Sequence, residues 1–184
     1  MTNLVLQTIQ NRRSIRKFKT EQISEQELQT ILDAGIQAPS ANNSQSWHFT
    51  VVQNQEMIKY MSNTAKAAMV ATGEDKLVSL GQTAFNIFYN APTVIIVSGS
   101  QKDGSALVNC GAAIENMLLA AESINLGACW IGFVKFFFAN QEGVKKLQLP
   151  ENYQPFYAVA IGYKAEGNAS GPGLRNKDVV NYIK

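Results

Sequence analysis

One histidine, His48, and two cysteines, Cys110 and Cys129, are all that 184 residues offer of the side chains that most often ligate zinc or form nucleophile and base pairs. The cysteines stand in no C-x-x-C arrangement, so neither a zinc site nor a redox dithiol has convincing ligands, and both read as buried thiols packing like small hydrophobes. A Ser-His-Asp or Cys-His mechanism would have to run through His48, which lies between Trp47 and Phe49 in a strand-like run and reads as structural. No G-x-S-x-G elbow accompanies it, and hydrolase chemistry is disfavoured. Excess charge is also lacking. Sixteen basic residues against fourteen acidic leave +2, too little to imply a nucleic-acid or anionic-membrane partner. No run approaches the roughly 18 apolar residues of a membrane span, and residues 1–11 have neither the basic leader nor the apolar core of a signal peptide. A cytoplasmic protein without membrane contact is expected. The nucleotide fingerprints G-x-G-x-x-G and G-x-x-x-x-G-K-S/T are absent, which disfavours Rossmann and P-loop folds.

What is present suits one globular domain spanning 1–184, with 46% hydrophobic residues and no internal repeat. Leu4, Val5, Leu6 and Ile9 suggest a short first helix ending near an arginine cluster. Ser24 and Glu27 have the S-x-x-E form of a capping box ahead of Leu28, Ile31, Leu32 and Ile36, so a second helix runs to Ala38, before Pro39. Trp47–Val52 reads as a strand, and Met57, Met61, Ala65, Ala68 and Met69 recur at helical spacing. After a break at Gly73, helix is expected again from Leu77 to Phe88. Thr93–Ser98 is a continuous apolar run, expected as a central strand. A buried, small-residue-rich helix follows from Ala106 to Ile124. Its stop is Asn125-Leu126-Gly127, with Gly127 available for a left-handed cap. Ala128–Phe133 and Phe156–Gly162 are further strands, Asn140 caps a short helix to Leu147, and Lys164–Arg175 is an irregular excursion. Unequal connections between strands favour an α+β sheet flanked by helices over a doubly wound one.

Two polar segments carry the chemistry. Arg12, Arg13, Arg16 and Lys17 surround Ser14, and guanidinium forks with a hydroxyl make a good phosphate clamp. By itself the cluster reads equally as a solvated charge run, while a nucleic-acid patch is disfavoured because nothing extends the basic surface. Pro39-Ser40-Ala41-Asn42-Asn43-Ser44-Gln45-Ser46-Trp47 concentrates neutral donors and acceptors between a helix and a strand. It reads either as an ordinary Asn/Ser turn or as amide groups matched to the polar edge of a heterocycle such as isoalloxazine.

Together these segments, R-R-S-I-R-x-F and then P-S-x-x-N-S-Q-x-W-x-F, resemble the FMN-dependent nitroreductase family. The likeness continues through Asn90-Ala91-Pro92, the Asn109–Ala121 helix, Leu126–Gly132 and Ala160–Tyr163, nearly the whole chain. It implies a mixed, mainly antiparallel sheet wrapped by helices and formed as an intertwined homodimer with two flavins at the interface. It also implies that Arg12, Arg13, Ser14 and Arg16 hold the FMN phosphate and ribityl chain, with Arg175 as a second basic contact. Pro39, Ser40, Asn42 and Gln45 would lie along ring or ribityl, often of the flavin bound mainly by the other subunit. Ile131 and Gly132 would approach the ring through backbone groups. The implied reaction is a ping-pong passage of electrons from NADH or NADPH through flavin N5 to an electron-poor small molecule such as a nitroaromatic or quinone, without a catalytic side chain. An FMN carrier without turnover is the alternative. Three departures bear on this. Ser46 replaces the usual proline, which is expected to loosen the turn holding Gln45. Asn109 replaces a commonly acidic residue, removing a charge expected near the dimer interface. The chain also lacks the long insertions that build a substrate lid.

Overall fold

The computed structural model describes residues 3–168, 171 and 173–184. Helix α1 (Leu4–Asn11) is capped by Asn3, whose side chain accepts from the Leu6 N–H. Helix α2 (Glu25–Ile36) begins with the expected capping box, Ser24 and Glu27 each accepting from the other's backbone N–H. It ends two residues before the expected stop, where the Gln37 N–H returns to the Asp33 carbonyl. After a 3-10 turn at Ala41–Asn43 come β1 (Trp47–Val52), α3 (Gln55–Ala71) and α4 (Asp75–Gln82). The chain continues through β2 (Thr93–Ser100), α5 (Ala106–Ser123), β3 (Leu126–Ile131), α6 (Lys135–Phe138), α7 (Gln141–Lys145) and β4 (Tyr153–Tyr163).

The sheet runs in the order β1-β2-β4-β3, and every strand pair is antiparallel. The parallel component is an isolated bridge from Ser14 to Ala128, by which the arginine segment follows the β3 edge. Strand β2 is buried on both faces, as its continuous apolar run implied. Its alternate side chains feed two cores. Ile95 and Val97 meet α2 and α5, whereas Val94 and Ile96 meet α3 and α6. A register shift falls between Val97 and Ser98, opposite Tyr157 and Pro155, which lets Phe156 reach over Gly99.

Three expectations are corrected. The helix expected over Leu77–Phe88 ends at Gln82, because side chains take the next backbone groups: the buried Ser62 hydroxyl, a tertiary partner, accepts the Ile87 N–H, and the nearby Asn86 side chain accepts that of Phe88. The left-handed residue after α5 is Asn125, at φ 63°, and not Gly127. Gly127 lies inside β3, where a Cβ would fall 2.7 Å from the Ile15 side chain that closes the sheet edge. Strand β3 stops at Ile131, since Phe133 starts the turn into α6, whose Phe137 is buried. The excursion expected over Lys164–Arg175 falls partly on residues 169, 170 and 172, outside the described set. Among the described residues no helix is long and apolar enough to cross a membrane.

Candidate functional site

The arginine segment leaves α1 as extended chain, pinned from both sides. The Ile15 N–H donates to the Ala128 carbonyl, and the Asn168 side chain accepts from the Arg16 and Lys17 N–H groups at 3.0 and 3.1 Å. Extended backbone sends alternate side chains opposite ways, so the segment divides its own basic residues. Arg12, Ser14 and Arg16 gather around the Cys129 thiol. Burial raises that thiol, while Arg16, Ser14 and Arg12 pull it back. Arg13 turns the other way, toward a second cavity with Lys164 and Asn168, and bonds the Gln10 carbonyl. Arg175 is near Arg13, both guanidinium groups lying within 4 Å of the point where Gly173 would carry a Cβ. The expected cluster is therefore two groups, back to back. Arg12 is also engaged by Glu115 of α5, at 3.5 Å.

Of the first group, Arg16 lines a cavity of about 450 Å3 at the end of β3, together with Cys129. Its walls are aromatic: Tyr89, Phe133, and Trp130 set edge-on to Tyr157 at 5.1 Å between ring centroids. Arg16 reaches in and is steadied by Tyr89, whose hydroxyl accepts from Nε at 3.3 Å and whose ring lies 5.7 Å from the guanidinium carbon. Tyr89 and Asn90 both have positive φ, 57° and 56°, costly for so bulky a residue as Tyr and therefore held by its surroundings. Lys135 adds a second cation, and among the described residues no carboxylate lines the cavity.

Ile131 and Gly132 are both here. Ile131 is buried and paired to Ala158 of β4, so its backbone belongs to the sheet. Gly132 is exposed, and a Cβ there would meet nothing within 4 Å among the described residues. Ala128 turns its carbonyl outward to Ile15, and strand alternation turns Trp130 outward as well. Trp130 thus offers the edge-facing backbone at the cavity. Tyr89, Trp130, Phe133, Lys135 and Tyr157 were not singled out as site residues from sequence. Spacing carries no signal for them, because they converge from three separate segments.

Pro39, Ser40, Asn42 and Gln45 lie elsewhere. They lead into β1, at the opposite edge of the sheet from β3, three strand spacings of about 4.8 Å away and more. A single chain does not bring them to the cavity. Their segment is tightly built: Asn42, Asn43 and Gln45 have φ of 51°, 54° and 44°, and the Ser40 hydroxyl accepts the Gln45 N–H at 3.0 Å. Ser46, expected to loosen this turn, is instead buried and accepts from the Asn109 amide at 3.0 Å. His48 sits partly exposed on β1, edge-on to Tyr153, and burial lowers its pKa.

The antiparallel sheet wrapped by helices that carries this cavity has counterparts among known proteins. A nitroreductase with bound FMN from Bacteroides fragilis superposes with a TM-score of 0.91 at 35% identity, covering 100% of both chains. One from Desulfitobacterium hafniense, also with bound FMN, gives 0.90 at 32% identity and the same coverage. A protein of Methanothermobacter thermautotrophicus, provisionally named NADH dehydrogenase/NAD(P)H nitroreductase, is 36% identical over 178 residues, 94% of this chain and 81% of that one. The sequence pattern of the nitroreductase family matches residues 9–163, from the end of α1 to the last residue of β4, and the chain belongs to that family.

Proposed function

We propose that this protein is an FMN-dependent oxidoreductase that passes electrons from NADH or NADPH to an electron-poor small molecule such as a nitroaromatic or a quinone. The observation that carries the reading is the cavity at the end of β3. It has the size of a small-molecule site, flat aromatic walls, an outward-facing strand edge and two cations, with no carboxylate lining it among the described residues. These features fit a planar heterocycle with an anionic tail. When bound, FMN supplies hydride acceptance from the nicotinamide and electron donation to the second substrate, in ping-pong order.

The chain's own part is to bind, orient and exclude. Arg12, Ser14 and Arg16 offer charge-assisted donors to the phosphate and ribityl side, with Arg16 held in place by Tyr89. Arg13 and Arg175 are a further basic pair on the far side of the same strand, suited to an anionic tail that passes around it. Gly132 leaves room for close approach from outside, and Trp130 and Ile131 form the wall beneath.

A second copy completes the proposed site. Ser40, Asn42 and Gln45, with Pro39 ahead of them, are too far from the cavity of their own chain and would serve the partner's flavin. The surface supports a homodimer. No residue of α1 is buried, and Leu4, Val5 and Leu6 stand exposed, as do Leu107 and Val108 at the start of α5 and Leu174, Val179 and Ile183 of the tail. A cytoplasmic location is supported by the two unpaired, buried thiols.

The test is a visible spectrum of the purified protein followed by anaerobic titration with NADH and with NADPH. The expected result is a yellow protein bleached by one or both donors and recoloured by a quinone. A colourless protein that takes up no added FMN overturns the assignment. One that stays yellow under both donors is a carrier.

A further inference from the structure

Asn109 is buried at the start of α5, and its amide touches nearly every turn of the 40–46 segment. Oδ1 accepts the Ala41 N–H at 3.1 Å. Nδ2 donates toward the Ser44 and Ser46 hydroxyls at 3.1 and 3.0 Å, and toward Asp103 at 3.2 Å. Asp103 closes the ring by accepting the Ser44 hydroxyl at 2.7 Å and the Ser105 N–H at 2.8 Å. The segment so held contains three non-glycine residues in the left-handed region, a conformation that local sterics alone do not favour. Neither Asn109 nor Asp103 reaches the cavity. Their connection to it runs through the residues they hold.

We propose that Asn109 and Asp103 are positioning residues, a neutral amide and a carboxylate that together set the conformation in which Ser40, Asn42 and Gln45 meet the flavin of a second copy. This rests on the reading that the segment serves the flavin in trans. The pairing of types matters. Asn109 must both accept from Ala41 and donate to Asp103, and a carboxylate at 109 cannot donate while ionised. Two carboxylates about 3 Å apart do not both ionise readily, so one of them holds a proton to a higher pH than usual. The surroundings do not relieve this repulsion. Segment 39–46 and Ser98–Ser100 carry no charge, Lys102 is exposed, and the adjacent Cys110 thiol is pushed up to about 12, by burial first.

The experiment measures FMN affinity of the full-length protein between pH 5 and 8 by fluorescence quenching, for wild type, Asn109→Asp, and Asn109→Asp combined with Asp103→Asn. Asn109→Asp is expected to match wild type at pH 5, where a shared proton restores the donor. By pH 8 it is expected to bind FMN about tenfold more weakly, the order of effect of a buried acceptor left without its donor. The double variant, which exchanges amide and carboxylate, is expected to return to wild-type affinity with a flat pH profile. Uniform wild-type affinity for Asn109→Asp, or a double variant no better than the single one, overturns the proposal. Asn42→Ala and Gln45→Ala separate it from the reading beneath. If they weaken FMN binding while Asn109→Asp does not, positioning alone fails. If they leave FMN binding unchanged, the segment does not serve the flavin, and both fail.

Discussion

Arg16 faces the cavity because extended backbone turns every second side chain the same way, and Asn168 holds that backbone from the far side. Its guanidinium is bonded to Tyr89, and the role proposed for it is binding rather than chemistry. Arg16→Ala is therefore expected to weaken FMN affinity about ten- to a hundredfold, the scale of a lost charged hydrogen bond, with activity restored by excess FMN. Turnover that stays low at saturating FMN would remove that role. Cys110 makes the opposite case. Its thiol is fully buried, donates toward the Ser98 carbonyl at 3.4 Å, and is pushed up to about 12. Thiolate is the reactive form, so Cys110 should remain unmodified by iodoacetamide at pH 8 in the native protein and react once unfolded, as mass spectrometry of the peptides would show.

At the scale of the element, helix α2 owes its start to a device legible in four residues. Ser24→Ala removes the side-chain acceptor for the Glu27 N–H and is expected to cost about 0.5–2 kcal/mol in urea unfolding at pH 7. The Glu27 carboxyl is held below its ordinary 4.5, first by the Ser24 hydroxyl and then by the Ser24 N–H, with Tyr163 adding a donor. A depressed carboxylate contributes stability that is fully present above the unfolded-state value and is lost as pH falls through the lower folded one. The difference between wild type and Ser24→Ala should therefore shrink below pH 4.5, and a difference that grows there would refute the linkage. Strand β2 meets α5 at Gly99, where a Cβ would lie 2.4 Å from the Phe156 ring and 2.9 Å from Ala106. Neither neighbour has a flexible end to move aside. Gly99→Ala should destabilise by about 1–3 kcal/mol.

For the whole molecule, the site proposed is a property of two chains. The cavity and the amide-rich segment sit at opposite sheet edges, and the apolar side chains of α1 and the start of α5 have no cover in one protomer. A combined Leu6→Glu and Val108→Glu variant places a charge on each of these two helices, where the residues are exposed at 57% and 75%. It is expected to elute as a monomer in size exclusion and to lose its flavin together with its dimeric state. A monomer that keeps wild-type FMN affinity would show the site to be complete within one chain.

Local chemistry made much of this protein legible in its residues. The capping box, the two-faced apolar run of β2 and the small-residue helix α5 each follow from contacts within a few positions or from burial on all sides. The arginine and amide segments are visible as dense local runs of polar chemistry. Where the local rule met a distant partner, it gave way. Helix stopped at Gln82 because Ser62 takes the Ile87 N–H, and Asn125 rather than Gly127 turned left-handed because Gly127 makes room for Ile15. The aromatic wall, the division of Arg12, Ser14 and Arg16 from Arg13 and Arg175, and the hold of Asn109 on the 40–46 segment have no footprint in spacing. They join residues tens of positions apart, and only the order in which the strands pair brings such residues together or keeps them on opposite edges.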